Sequence, residues 1–426
     1  MKKLLRNATL LFLSLCLLFG TVAMSGCTVS IKAEELSSAY VRTATEEGEV
    51  TDAFVAAMAD FAMTLTTATI AHDREETGKA NHLVSPLSAM ICLSMIANGA
   101  EGETLAQMEE VLGMPISALN KGLYAYTSRL YVGDDCKVSV ADSIWYREGN
   151  DFTVRGEFLQ ACADWYAAQQ YQAPFDEQTR RDINAWVKKY TDGMIDSILD
   201  QPIPAETVMY VINALVFDAK WQEEYEKSDV REGEFTSQSG TVSTVEMLHS
   251  EETTYLVTEG GCGVARPYKG GAYSFVGLLP DEGTDVYEFA ATLTGEAWTA
   301  LWQGRTREAV HTRIPEFTYD SFMDLTPVLQ EMGMTNLFNA ARAELSGIGE
   351  GADGNLFCSG VCQKTFIEVN RHGTKAAAVT WGNLECGSAA PVEPKYVYLD
   401  RPFVYAIVDN ATGLPLFVGV VTEMGQ

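Results

Sequence analysis

A chain of 426 residues with 47% hydrophobic residues has ample material for a packed core, as one large domain or two ordinary ones. Its 30 basic against 58 acidic residues give a net charge of −28, a surface that repels nucleic acid and other polyanions. Nine cysteines at irregular spacing and five scattered histidines form neither a disulfide framework nor a metal-ligand pattern, so no metal and no cofactor is expected.

The N-terminus reads as a processing segment. Lys2, Lys3 and Arg6 form a basic head, and the apolar run Leu10 to Phe19 is short for a permanent span. Ala23-Met24-Ser25-Gly26-Cys27 resembles a bacterial lipobox, which makes residues 1–26 a signal peptide and Cys27 the lipidated first residue. Ordinary cleavage nearby, with Cys27 a bystander, stays open; either way the protein is exported. Removal of 1–26 takes away three basic groups and no acidic one, lowering the net charge from −28 to −31. Residues 27–50 are polar and acidic without periodicity and suit a flexible tether, so the folded domain is expected over 51–426.

Phe54, Met58, Phe61 and Leu65 recur at helical spacing and predict a helix from Asp52 to Ile70. In Ser85-Pro86-Leu87-Ser88, the serine suits a cap and the proline the first helical position, with a stop at Asn98-Gly99. Val138 to Tyr146 alternates like a strand, and Ile183 to Val187 sits on a helix ending near Gly193. Val208 to Trp221 is a continuous apolar run, as in a strand covered on both sides, and Asn213 in its middle must find hydrogen bonds if buried. Separate strands are expected at 242–247, 254–257 and 274–279, then a helix carrying Leu325, Leu329 and Met332. Gly347 to Gly354 has the glycines of a phosphate loop but not its context, and reads as a surface loop. The chain contains no His-Glu-x-x-His, no Gly-x-Ser-x-Gly and no Walker sequence, so catalysis is not indicated.

The most informative stretch is Gln363 to Phe403. Thr365 to Val369 alternates like a half-buried strand. Arg371-His372-Gly373-Thr374-Lys375-Ala376-Ala377-Ala378-Val379-Thr380 then opens a long connection without bulk in its first half, and Asp400-Arg401-Pro402-Phe403 leads into an apolar strand. This pattern resembles the hinge, reactive-centre loop and C-terminal signature of the serpin family. The likeness extends from about Asp52 to Val421, including Asn98-Gly99-Ala100, Thr104, Gln107 and Met108.

The resemblance implies an α+β fold of three β-sheets and eight or nine helices, with a reactive-centre loop over about 371–397. It implies a sheet-opening cluster of Ser85, Ser88 and Asn213, with Gln363 where the family often has histidine, and Trp221 at the top of the main sheet. The hinge would be Arg371, Gly373, Thr374, Ala376, Ala377 and Ala378, with Thr374, Ala376, Ala378 and Thr380 facing inward after insertion. The family usually opens the hinge with Glu and places Lys where this chain has Glu316, so Glu316 and Arg371 are expected as a charge-reversed pair. The usual interval from Arg371 puts the scissile bond at Gly387–Ser388, with bonds from Leu384 to Ala390 left open. Cleavage and insertion would add about a dozen strand hydrogen bonds at roughly 1 kcal/mol each, of the order of a whole domain's stability. The expected function is suicide inhibition of serine proteases, elastase-like or subtilisin-like, with papain-like cysteine proteases as a cross-class target. The partners would be proteases and, through Cys27, a membrane; the protein is expected as a monomer without a polyanion cofactor. A non-inhibitory serpin and a surface binding lipoprotein are the rival readings.

Overall fold

The computed structural model describes residues 31–43, 48–78, 80–130, 132–133, 135–149, 152–352, 355–374 and 393–425. The expected signal peptide, Cys27, hinge positions Ala376 to Ala378 and every candidate scissile bond lie outside them. Nine α-helices occur among the described residues: α1 Asp52–His72, α2 Pro86–Ala97, α3 Gly102–Leu112, α4 Ile116–Thr127, α5 Gly156–Tyr166, α6 Glu177–Tyr190, α7 Val286–Thr292, α8 Gly295–Gln303 and α9 Thr326–Glu331. The Thr51 hydroxyl caps α1, and Ser85 caps α2 by accepting from the Ser88 amide, as the sequence implies.

The first sheet has eight strands. Its path is β1 (Glu34–Glu35), β6 (Gln169–Ala173), β4 (Cys136–Arg147), β7 (Met209–Lys220), β16 (Gly373–Thr374), β15 (Cys362–Asn370) and β13 (Phe317–Asp324), with β3 (Val132–Gly133) pairing β4. The second sheet has nine, on the path β17 (Lys395–Tyr398), β12 (Thr306–Pro315), β9 (Val242–Thr258), β10 (Gly261–Pro267), β11 (Tyr273–Pro280), β18 (Phe403–Asp409), β19 (Pro415–Val421) and β2 (His82–Val84), with β8 (Val230–Thr236) on β9. A third, two-stranded sheet joins β5 (Phe152–Val154) to β14 (Gly349–Gly351). The residues of β11, β18 and β19 are buried throughout, as their unbroken apolar runs require.

Four expectations need correction. Residues 242–258 form one long strand rather than two short ones, since Glu and Ser are tolerated where an antiparallel ladder has a wet face. Gly349–Gly351 is a strand, not free loop; its pairing uses only backbone groups. In β7 burial alternates instead of being complete, because the strand borders a cleft.

The fourth concerns the tether. Glu34 and Glu35 pair with Gln172 and Tyr171 at the sheet edge, and the Leu36 amide donates to the Gln170 carbonyl at 2.8 Å. Just before them, the Lys32 and Ala33 amides both donate to Asp182 Oδ2 on α6 at 2.9 Å. Ile31 and Ala33 pack into the apolar cluster of Trp145, Tyr171, Ile183 and Trp186 beneath that helix. Further on, the Thr43 amide donates to Asp164 and the Val41 carbonyl accepts from Gln160, both on α5. Residues 31–43 are thus a strap over the sheet edge, α5 and α6.

Candidate functional site: the hinge and the cleft below it

β15 ends at Asn370, and the chain reverses through Arg371 and His372 into β16, which runs antiparallel to both β15 and β7. Every backbone polar group at this reversal has a partner. The Asn370 carbonyl accepts from the Trp221 indole at 2.8 Å, and the His372 carbonyl from the Trp221 amide at 3.0 Å. The Arg371 amide donates to Glu316 at 2.8 Å, its carbonyl accepts from the Tyr225 amide at 3.1 Å, and the His372 amide donates to the Asn370 side chain at 2.8 Å. A turn so completely satisfied is held in one conformation.

Beyond the turn the chain enters the sheet. A Cβ on Gly373 would strike the Ala219 carbonyl oxygen and Lys220 Cα, so only glycine allows this approach. Thr374, 4% exposed, faces inward as the family register implies, and its hydroxyl meets the Tyr268 hydroxyl at 2.6 Å. Tyr268 stacks on fully buried Trp221 at 4.7 Å and 8°, and the Arg266 guanidinium lies 5.1 Å from the Trp221 ring. Arg266 is neutralised by buried Glu252. Tyr268 and Arg266 were not singled out from the sequence; Tyr268 sits in a short Tyr-Lys-Gly-Gly turn that carries no hint of its distant partner.

Glu316 and Arg371 do meet, but differently from a simple charge pair. The carboxylate accepts from the Arg371 backbone amide at 2.8 Å, while the guanidinium Nε stands 3.9 Å off and both side chains are partly exposed. Glu316 is chiefly a cap on the turn. His372 in turn faces Glu224 at 3.0 Å.

Below Thr374, among the described residues, β7 and β15 share no ladder, and their facing edges border a half-open cleft of about 50 Å³. Ser85, Ser88, Asn213 and Gln363 all line it. Gln363 uses both functions of its amide on one residue, accepting from the Ser85 amide at 2.8 Å and donating to the Ser85 carbonyl at 2.9 Å. The Ser85 hydroxyl donates to the Leu416 carbonyl at 2.9 Å. Asn213 departs from the expected serine partnership: it donates to Asp142 Oδ1 on β4 at 2.8 Å, and its own Oδ1 is buried without a partner among the described residues. Burial pushes the Asp142 carboxyl up to about 7, against the opposing effect of the Asn213 bond.

One arrangement outside this region has the outline of a nucleophile–base–acid set: His82 lies 3.0 Å from both Asp73 and the Thr69 hydroxyl. Thr69 is wholly buried and bonded to the carbonyls of its own helix, so no substrate reaches it. The cysteines among the described residues are free thiols, and burial raises Cys136 to about 12 and Cys358 to about 11, which leaves these two unreactive at neutral pH.

The family model described as "Serpin (serine protease inhibitor)" matches residues 56–424. Serpin B8 of Bos taurus is 32% identical over 363 residues, covering 81% of this chain and 93% of the relative. Leukocyte elastase inhibitor A of Rattus norvegicus is 29% identical, covering 82% and 94%. Among solved structures, the thermophilic serpin Tengpin in its native state superposes with a TM-score of 0.85 at 42% identity, covering 92% of this chain and all of that one. The chain belongs to the serpin family, which is described by its activity as serine protease inhibitors.

Proposed function

We propose that this serpin is an exported, surface-anchored suicide inhibitor of serine proteases, elastase-like or subtilisin-like in preference. The observation that carries the reading is the hinge. Gly373 and Thr374 already occupy the first rung between β7 and β15, and the edges below them are unpaired among the described residues and lined by the predicted cluster. In the mechanism, the target's serine attacks a carbonyl in the stretch Leu384 to Ala390, with Gly387–Ser388 the bond set by the family interval. The peptide bond breaks, its nitrogen leaves with a proton from the protease, and the loop remains esterified to the enzyme. The released strand then continues from Thr374 down the cleft, and a distorted acyl-enzyme cannot complete hydrolysis. No Arg or Lys lies between Lys375 and Lys395, which disfavours trypsin-like targets; cysteine proteases of the papain type are the cross-class candidates. Cys27 would carry the lipid, and the protein acts as a monomer without nucleic acid, polyanion or cofactor.

The test mixes the purified domain with pancreatic elastase, subtilisin and trypsin separately, followed by a denaturing gel and mass spectrometry of the released C-terminal peptide. A boiling-resistant band at the summed mass with elastase or subtilisin is expected, and the peptide names the bond. Clean cleavage without that band across a wide panel would make the chain a non-inhibitory serpin. Partner binding that survives replacement of the loop would favour the binding-lipoprotein reading.

A further inference from the structure

The strap fixes where the chain leaves the domain. Glu34 is level with Gln172, which lies beside Tyr146, the partner of Met209 at the start of β7. The hinge is level with the other end of β7, where Gly373 faces Lys220. The 12 residues of β7 separate these poles by about 36 Å at ~3.3 Å per residue. The chain N-terminal to Glu34 continues away from the hinge and is held at Lys32 and Ala33 by Asp182, a residue 2% exposed. From Cys27 to Lys32 there are five peptide units, which at full extension reach no more than ~17 Å.

We infer that the pole at the start of β7, with the exposed loop around Glu206, faces the lipid surface and that the hinge pole points away from it. A long free tether would let the domain take any orientation; a docked strap that ends one short reach from the anchor does not. Arg147 holds the loop of that pole against the sheet through the carbonyls of Ala205 and Thr207, so the membrane-facing end is a defined surface. The inference rests on the lipidation of Cys27 proposed above.

The experiment separates the two. Residues 1–27 are replaced by six histidines directly before Thr28, and the protein is bound to phosphatidylcholine vesicles carrying a nickel-chelating lipid and a headgroup-linked acceptor dye. A donor dye is coupled through an azide-bearing residue introduced at Glu206 or at Lys227, exposed positions at opposite poles. Several-fold stronger energy transfer from position 206 than from 227 is expected. A twenty-residue Gly-Ser insertion before Thr28 leaves the domain untouched and should bring the two signals together. Equal transfer without the insertion, or the reverse order, overturns the orientation. Natural lipidation is tested independently by the mass of the mature N-terminal peptide, so its failure cannot be mistaken for failure of the geometry.

Discussion

Replacing Asp142 by asparagine keeps the shape of the side chain and removes a titrating carboxyl bonded to Asn213 of the cleft. Asp142 is 5% exposed, and burial lifts its carboxyl from an ordinary 3.8 to about 7. The groups facing it are Asn213 on β7, Cys92 on α2, and Cys162 and Tyr166 on α5; the last three are themselves raised by burial and stay neutral between pH 5 and 8. Burial accounts for the preference for the neutral form; a proton on Asp142 would also supply the donor that Asn213 Oδ1 lacks among the described residues. Because the folded value lies above the unfolded one, this contribution to stability is complete below about pH 4 and is lost as pH rises toward 7. A shift of about three units at 1.36 kcal/mol each makes the loss about 4 kcal/mol. Asp142→Asn forms at all pH values the pairing that the acid forms only when protonated. The protein already contains such a reciprocal amide pair, Asn98 with Asn120 at 3.1 and 2.8 Å. Urea unfolding of parent and variant should therefore coincide near pH 4, with the variant the more stable by up to ~4 kcal/mol at pH 8. A difference that stays constant between these pH values would refute the argument.

The other predictions concern the hinge. Gly373→Ala should expel β16 from the sheet at a cost of about 1–3 kcal/mol, seen as faster nicking of residues 371–374 by a non-specific protease. Thr374→Arg places a guanidinium where the side chain is 4% exposed, and should leave the loop cleavable while reducing covalent complex on a denaturing gel at least tenfold. In a double-mutant cycle on Glu316 and Arg371, coupling should stay below about 1 kcal/mol because both side chains are partly exposed. Glu316→Ala should cost more than Arg371→Ala, since only the first removes the acceptor for a turn amide.

Periodicity, a capping sequence and a continuous apolar run sufficed for the main elements. The helix at Asp52, the capped helix at Pro86 and the strands around Val138, Val208 and Thr365 lie within a few residues of their expected limits. Where pairing uses backbone alone, composition misleads: Glu34–Glu35 and Gly349–Gly351 read as tether and loop, yet both are strands. The serpin resemblance located Ser85, Gln363, Asn213 and Trp221 at one cleft or its upper end. It did not reveal that Asn213 serves Asp142, because a register between strands 71 residues apart leaves no local trace. The Tyr268–Thr374 contact spans 106 residues and was equally invisible.

The direction of the cleft has a consequence for where a captured protease would be kept. From Thr374 to Gly387 the loop has 14 residues, about 43 Å as a strand, longer than β7 itself. Full insertion would therefore carry an esterified enzyme from the hinge pole to the pole where the proposed lipid anchor would lie. Bait would face the surroundings while the spent complex would lie against the cell's own envelope. The trap would then double as custody, holding a hostile enzyme against a wall that blocks approach to its active site.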